Sequence, residues 1–282
     1  MKNLLKTLLL TTGVTASAAF AATTTDTFTN GDIMLGFFAS SGTGAGQNLM
    51  VNLGSFQQFD NNNGGTISFN SGIIADLDAT YGNGTEPTTN WRTSGLVKWS
   101  LIGTTGSTAA IDGINRKTIF TTIETGSAPI AADTDSIQGG NVTNITSIAT
   151  GYNAATTTGN STVSVVLASS NSNSMQARLT TANSVRFGPT NQIVASGAGS
   201  ALDFYAVIPT GVTPSGLAVD GTEFLYASGA NLLGKVYLDA SGLSYLASGS
   251  PASAVPEPST YAALAGAAVL GLAAYRRRQA RA

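Results

Sequence analysis

Short segments in which apolar and polar residues alternate recur along the chain and constrain its fold more than any other feature. A period of two places successive side chains on opposite faces of an extended strand. Turns rich in Gly, Asn, Ser and Thr separate the segments, as they do between antiparallel strands. We therefore predict that one face of each strand is buried and the other faces water. In the first segment, Asn48, Met50 and Asn52 would be on the face exposed to water. The alternating segments are 49–53, 97–101, 163–167 and 202–208.

The remaining body segments add a hairpin, one short helix and a long irregular stretch. Residues 235–246 predict the hairpin, with Gly242 at the position that needs a positive φ. A short helix is expected over 73–81, whereas 125–160, rich in Thr, Ala, Gly and Asn, is expected to form a long loop or an excursion from the sheet. No stretch has the pattern of a long amphipathic helix. The fold class that follows is all-β, an antiparallel β-sandwich or jelly-roll-like body.

Composition excludes several classes of chemistry. The 282 residues contain no histidine and no cysteine, which rules out zinc fingers, cysteine-ligated iron–sulfur clusters, disulfides, thiol nucleophiles and imidazole-dependent serine proteases. Residues 22–254 hold seven basic against 14 acidic residues, a formal charge of about −7. Because no basic stripe is present, we predict no nucleic-acid partner.

The N-terminus has the three parts of a secretory signal peptide. Lys2 and Lys6 form a charged region, and an apolar core follows over 4–14. Small residues then lead to an A-x-A pattern at Ala19 and Ala21. We predict a signal helix that is removed after Ala21 once the chain has crossed the inner membrane.

The C-terminus combines a proline-rich motif, an apolar run and a cluster of arginines. Residues 261–275 would rise only about 22 Å as a helix, which suits a thinned bilayer. The arginines would stay on the cytoplasmic side, leaving the body outside. The motif is Val255, Pro256, Glu257 and Pro258, the anchor includes Tyr261, Leu264, Val269, Leu270, Leu272 and Tyr275, and the stop-transfer cluster is Arg276, Arg277, Arg278 and Arg281.

This tail resembles the PEP-CTERM sorting signal of Gram-negative bacteria. The resemblance covers about the last 27 residues, with all three parts present in order. It implies recognition of Pro256, Glu257 and Pro258 by an exosortase, a membrane protease that cuts at or near the motif. It also implies a transient inner-membrane anchor, export to the cell surface or matrix, and association with extracellular polysaccharide. The residues alone predict only a C-terminal anchor with a proline hinge.

Four regions follow from these patterns. We assign 1–21 to the signal peptide, 22–246 to the exported body, 247–254 to a Ser/Ala/Gly/Pro linker and 255–282 to the sorting segment.

Candidate metal and nucleotide motifs in the body are weak. Residues 60–65 resemble a calcium loop, but Gly64 and Ser71 stand where ligands are required, so a polar turn is favoured. The Asp76/Asp78 and Asp133/Asp135 pairs would share a face if extended, although solvated turns are commoner. Residues 42–46 lack the spacing of a dinucleotide loop. We predict no cofactor and no metal.

Exposed aromatic side chains are candidates for stacking on sugar rings. Trp99 alternates correctly with its apolar neighbours and is expected in the core. Trp91, which lies in a polar stretch, is the better surface candidate, although a structural position at the rim is favoured. The aromatic candidates are Tyr81, Trp91, Trp99, Tyr152 and Tyr205.

The sequence therefore predicts a non-enzymatic exported surface or matrix protein. One alternative is a carbohydrate-binding module, which requires clustered exposed aromatic residues. The other is a glycan hydrolase or lyase, which requires two facing carboxylates, and Glu86, Glu124 and Glu223 are the only glutamates of the body.

Overall fold

A computed structural model describes most of the exported body. The ranges described are 20–21, 27–39, 41–60, 66–68, 72–86, 89–111, 113–126, 132–156, 164–179, 192–193, 200–210, 228–239 and 242–247.

The described chain forms eleven strands and four helices. The strands are β1 Phe20–Ala21, β2 Asp32–Ala39, β3 Gln47–Ser55, β4 Thr66–Ser68, β5 Val97–Thr104, β6 Ile119–Glu124, β7 Ser164–Ala168, β8 Gln192–Ile193, β9 Ser200–Ile208, β10 Gly229–Asp239 and β11 Gly242–Ala247. The helices are α1 Gln57–Asp60, α2 Gly72–Tyr81, α3 Asp135–Thr156 and α4 Met175–Leu179.

The strands belong to one hydrogen-bonded sheet. Its order is β1-β4-β11-β10-β9-β6-β5-β2-β3-β7, and β8 pairs with β5 beside this path. The eight strands from β11 to β7 are antiparallel and curl, whereas β1 pairs with β4 in parallel. The predicted antiparallel β body is therefore confirmed, but its described strands follow one continuous path rather than two hydrogen-bonded sheets of a sandwich.

The predicted strands and turns occur where alternation placed them. The four alternating segments lie in β3, β5, β7 and β9, apart from residue 163, which lies outside the described ranges. Residues 235–239 and 242–246 lie in the paired strands β10 and β11, where Gly242 has a φ of 139°, and 73–81 lie in α2; residues 240–241 lie outside the described ranges. The period-two pattern was thus sufficient to locate these strands in the sequence.

One face of the curled sheet holds the main core. Its side chains come from all the long strands except β7, and α1 and α2 close it. Phe56 stacks on Phe120 with ring centroids 5.0 Å apart, and Phe59 meets Tyr245 edge-on at the same distance. Trp99 is fully buried in this core, as predicted.

The opposite face is covered by α3 and α4 over β2, β3, β5 and β7. The prediction that one face of the strands would be wet is therefore wrong for this half of the sheet. Asn48, Met50 and Asn52, expected in water, are all fully buried. The polar members have partners: Asn48 Oδ1 accepts from the Gln176 N–H at 2.7 Å, and Asn52 Nδ2 donates to Asp32 at 3.2 Å.

Residues 125–160 were expected to form a long loop or an excursion from the sheet, but Asp135–Thr156 form the covering helix α3. Its buried side includes Ile145, Ile148 and Tyr152 beside polar and small residues, so its apolar stripe is interrupted. Thr146 and Thr150 donate their hydroxyl hydrogens to carbonyls one turn earlier, at 2.9 Å each. Such bonds satisfy hydroxyls inside a helix, which is how a Thr-rich stretch becomes helical beneath tertiary contacts.

Candidate functional site

α3 and α4 leave most of the outer face of β9, β10 and β11 open, although Val207 of β9 is buried in the cluster that α3 covers, and the partly buried Tyr205 and Ala230 pack against that cluster. Side chains alternate along these strands, and the inward ones, such as Phe204, Val236 and Tyr245, belong to the main core. We call the outward set the β9–β11 face; all of its members except Asp203 are partly or fully exposed. The set is Ala201, Asp203 and Tyr205 on β9, Leu232, Lys235 and Tyr237 on β10, and Ser244 and Leu246 on β11.

Strand register places these residues in rows, with a β-bulge in β10 between Leu232, which pairs with Tyr205, and Gly234. Lys235 pairs with Asp203 on one side and with Leu246 on the other. Tyr205 lies beyond this row toward one end of the strands and Tyr237 toward the other, because β9 and β10 run antiparallel. The two tyrosines therefore flank the central ion pair from opposite sides.

An ion pair with additional hydrogen bonds forms the centre of the face. Lys235 Nζ donates to Asp203 Oδ1 at 2.8 Å, and the Thr125 hydroxyl donates to the same oxygen at 3.2 Å. The Gly126 N–H donates to Oδ2 at 3.4 Å. Asp203 is buried and the lysine side chain is 37% exposed, so the ammonium remains open to a ligand.

The environment of this centre shifts the pKa values of Lys235 and Tyr205. The hydrogen bond to Asp203 raises the pKa of Lys235, burial opposes the shift, and the nearby Tyr237 and Tyr205 add to it. Burial and then the Asp203 carboxylate raise the pKa of Tyr205, although Lys235 lowers it in part. At neutral pH the Tyr205 phenol is therefore neutral beside the ion pair of Lys235 and Asp203.

This arrangement suits binding of a hydroxyl-rich ligand. An aromatic ring offers an apolar surface with a negative face, on which the C–H groups of a sugar ring can pack. The Lys235 side chain is 37% exposed, and its ammonium has donors that can reach hydroxyl groups between the rings.

The other aromatic candidates are structural. Trp91, predicted as the better surface candidate, is only 2% exposed, and Tyr81 and Tyr152 are also buried. Trp91 is held because its Nε1 donates to Asp78 Oδ1 at 2.7 Å and the Arg92 guanidinium lies 4.4 Å from its ring centroid. Among the proposed stacking residues, only Tyr205 is on the β9–β11 face.

Sequence reasoning missed Tyr237 and Lys235 as members of a site. The signal was available, since both alternate with the buried Val236 and Leu238 on one strand. The sequence alone does not show that β10 pairs with β9. This pairing places Tyr237 and Tyr205 on opposite sides of the Lys235–Asp203 pair.

The aspartate pairs do not have the extended geometry that was considered for cation binding. Asp76 and Asp78 lie on α2, where Arg92 Nη1 binds Asp78 Oδ1 at 2.6 Å. Burial opposes ionisation of Asp78, but the Arg92 and Trp91 hydrogen bonds outweigh it and hold the pKa below its usual value.

The second pair lies at the start of α3. Asp135 begins the helix and forms ion pairs with Lys117 at 2.7 Å and Arg116 at 3.3 Å. In the described ranges, no group of three or more acidic side chains is placed to hold a metal ion. Residues 61–65 of the calcium-like loop and Glu223 lie outside these ranges, and Glu86 and Glu124 are exposed.

The predicted sorting residues lie almost entirely outside the described chain. This holds for Ala19 and for the whole of 255–282, while Ala21 lies in β1. Within the part of the chain that the structure describes, helices are too short or too polar to cross a membrane.

Comparison with known families identifies the tail. The family model of the PEP-CTERM protein-sorting motif matches residues 254–278. The resemblance found in the sequence is thus confirmed, and the motif marks the chain as an exported protein that is sorted to the cell envelope and processed by an exosortase. No curated protein and no solved structure matches the chain.

Proposed function

We propose that the chain is the precursor of a non-enzymatic protein of the cell surface or extracellular matrix, where its partner is extracellular polysaccharide. The observation that carries this proposal is the sorting motif over 254–278. The inner membrane would hold the precursor through 261–275 until an exosortase removes the tail.

The residues around the motif support this sequence of events. An apolar run followed by Arg276, Arg277 and Arg278 stops transfer and keeps the arginines inside. The signal-peptide pattern before Ala21 supplies export of the body. Both processing steps would leave a product of about residues 22–255.

The state of the carboxylate on the β9–β11 face supports a binding rather than a catalytic role for that face. Asp78, Asp135 and Asp203 are all engaged in ion pairs with basic side chains. A carboxylate-pair hydrolase needs one group protonated and one free near the scissile bond. The centre of the β9–β11 face has a single aspartate, and that aspartate is ion-paired, so the face lacks such a pair of carboxyl groups.

Intact mass of the protein from fractionated native cells tests the proposal. We expect a species that begins near residue 22, ends near 255 and is recovered from the surface or matrix. Pro256→Ala combined with Glu257→Gln should accumulate an uncut form in the inner membrane. Pro251→Ala, a proline change in the linker, is the matched control and should be processed normally.

A native species that retains Arg276 to Arg281 in the inner membrane would contradict the sorting step. The protein would then be a tethered periplasmic domain. Equal processing of the motif variant and the linker variant would show that Pro256 and Glu257 are not recognised.

A further inference from the structure

We propose that the β9–β11 face binds a neutral polysaccharide chain, with Tyr205 and Tyr237 each stacking on a sugar ring and the ammonium of the Lys235–Asp203 pair bonding to hydroxyls between them. This inference rests on the proposed extracellular function and names its ligand class and its site. It is carried by the placement of the two tyrosines about one ion pair.

The spacing of the tyrosines suits an extended chain rather than a single sugar. Each tyrosine is two residues along its strand from the Lys235–Asp203 row, in opposite directions. At about 3.4 Å per residue their backbone positions are about 14 Å apart along the strands. One pyranose ring is too short to reach both, so a bound oligomer would run roughly along β9 and β10.

The surface between the tyrosines is shaped for close approach. Tyr237 is opposite Ala201 on one side and Ser244 on the other, so small side chains surround its ring. Leu246 is beside Lys235 and 41% exposed, which adds apolar surface to the centre. A flat ligand can therefore approach the Tyr237 ring closely, whereas Tyr205 is paired with Leu232, which is 42% exposed and adds apolar surface at that end.

Charge favours a neutral polymer over an anionic one. Asp203 already compensates Lys235 at 2.8 Å, so the face has no spare positive charge for a uronate or sulfate group. The exported body carries a formal charge of about −7, which repels polyanions at low salt. Hydroxyl groups, by contrast, can accept from the Lys235 ammonium without breaking its bond to Asp203.

Gel electrophoresis through embedded polysaccharide tests the site on the purified full-length chain in mild detergent. The probes are three neutral polymers, a β-glucan, a galactomannan and dextran, with alginate as the anionic comparison. We expect at least one neutral polymer to retard the protein. Tyr205→Ala and Tyr237→Ala should each weaken this retardation about tenfold or more, whereas Tyr237→Phe should retain it.

Matched variants keep the result interpretable. Val166→Ala removes an exposed apolar side chain on β7, far along the strand order from the site, and should bind as the unaltered chain does. Tyr237→Leu keeps apolar volume without an aromatic face and should lose binding even if Tyr237→Ala is unstable. Unfolding midpoints of all variants establish that each is folded.

Three outcomes would overturn the proposal. They are no retardation by any neutral polymer, retardation by alginate alone, and retardation unchanged when both tyrosines are replaced. Self-association abolished by Tyr237→Leu, without glycan binding, would assign the face to a second copy and would also overturn it. Because the gel measurement does not depend on tail processing, a failure of the sorting proposal in cells is distinguishable from a failure of this site.

Discussion

At the scale of single residues, Tyr81 ties the short helix α2 to two strands. Its hydroxyl donates to the Phe37 carbonyl at 2.7 Å and accepts from the Leu49 N–H at 3.1 Å. The Gln47 carbonyl lies 3.2 Å from the same oxygen. One phenol thus satisfies backbone groups of β2 and β3 that are buried under the helix.

Replacement of Tyr81 by phenylalanine should lower the free energy of unfolding substantially, although it removes only the hydroxyl oxygen. In Tyr81→Phe, the Leu49 N–H is left unpaired in the core, which costs about 1–3 kcal/mol of unfolding free energy. Urea denaturation followed by circular dichroism measures the loss. Tyr237→Phe, on the exposed face, is the control and should change the free energy by less than about 0.5 kcal/mol. Equal effects of the two changes would contradict the role of the Tyr81 hydroxyl.

The same burial makes stability depend on alkaline pH. Burial raises the pKa of Tyr81 above the ordinary value of 10.0, although the Leu49 N–H opposes the shift. Below pH 10 both the folded and the unfolded state keep the proton, so no difference arises. Above it only the unfolded state releases the proton, so stability falls by up to about 1.4 kcal/mol per pH unit.

Urea unfolding between pH 8 and 11 should therefore show a shallower decline for Tyr81→Phe than for the unaltered chain. The other tyrosines and lysines are common to both proteins, so the difference between the two slopes isolates Tyr81. Parallel slopes would mean that this phenol ionises equally easily in both states.

The position of Trp91 shows what single residues do not reveal in sequence. Asn90 and Arg92 flank it, and a polar neighbourhood indicates a surface. The indole is nevertheless buried because α2 supplies Asp78 as its hydrogen-bond partner and Arg92 covers its ring. The partner is 13 residues earlier in the chain, a pairing that local pattern does not encode.

At the scale of elements, the strands were predictable and the covering helix was not. Alternation identifies a strand from its own residues. Helix α3 lacks a continuous apolar stripe, because Thr, Asn and Gly occupy positions that tertiary contacts and i−4 hydroxyl bonds make acceptable. Because α3 and α4 cover the outer face, the alternating polar residues of β3 are buried, although the same pattern had predicted that they face water.

Helix α3 is fixed at both ends, and its C-terminal attachment offers a test. Asn153 Oδ1 accepts from the Phe28 N–H at 2.7 Å, and its Nδ2 donates to the Phe28 carbonyl at 3.0 Å. Asn153→Ala should lower the unfolding free energy by about 1–3 kcal/mol, because both backbone groups of Phe28 lose their partner. Hydrogen exchange should rise in the last turns of α3.

Thr143→Ala is the matched control for this helix. Its hydroxyl is exposed and donates only within α3, to the Gly139 carbonyl at 3.0 Å. Alanine favours a helix more than threonine does, so stability should be unchanged or slightly higher. A loss as large as that of Asn153→Ala would indicate that α3 is held along its length rather than at its ends.

At the scale of the whole molecule, the sorting motif over 254–278 was evident in the sequence, whereas strand order was not. The order in which β11 lies between β10 and β4, and β9 beside β6, depends on contacts between segments far apart in the chain. That order also creates the Tyr205–Tyr237 arrangement, which explains why the site could be predicted only in part.

The position of β11 determines where the chain can be cut without loss of the fold. A chain ending at Ser248 keeps every long strand, so its unfolding free energy should match that of the full chain within about 0.5 kcal/mol. A chain ending at Asp239 loses β11 and, with it, Tyr245, whose hydroxyl donates to the Leu233 carbonyl at 2.6 Å. Its ring also packs on Phe59 and Phe204 in the main core.

We therefore expect cooperative urea unfolding for the chain ending at Ser248 and none for the chain ending at Asp239. The loss has two causes, since removal of β11 opens the hydrogen-bonding edge of β10 and leaves a cavity where Leu243 and Tyr245 filled the core. A cooperative transition in the shorter chain would show that β11 is peripheral. Cleavage by an exosortase beyond residue 248 would, by the same reasoning, release a body that is already fully folded.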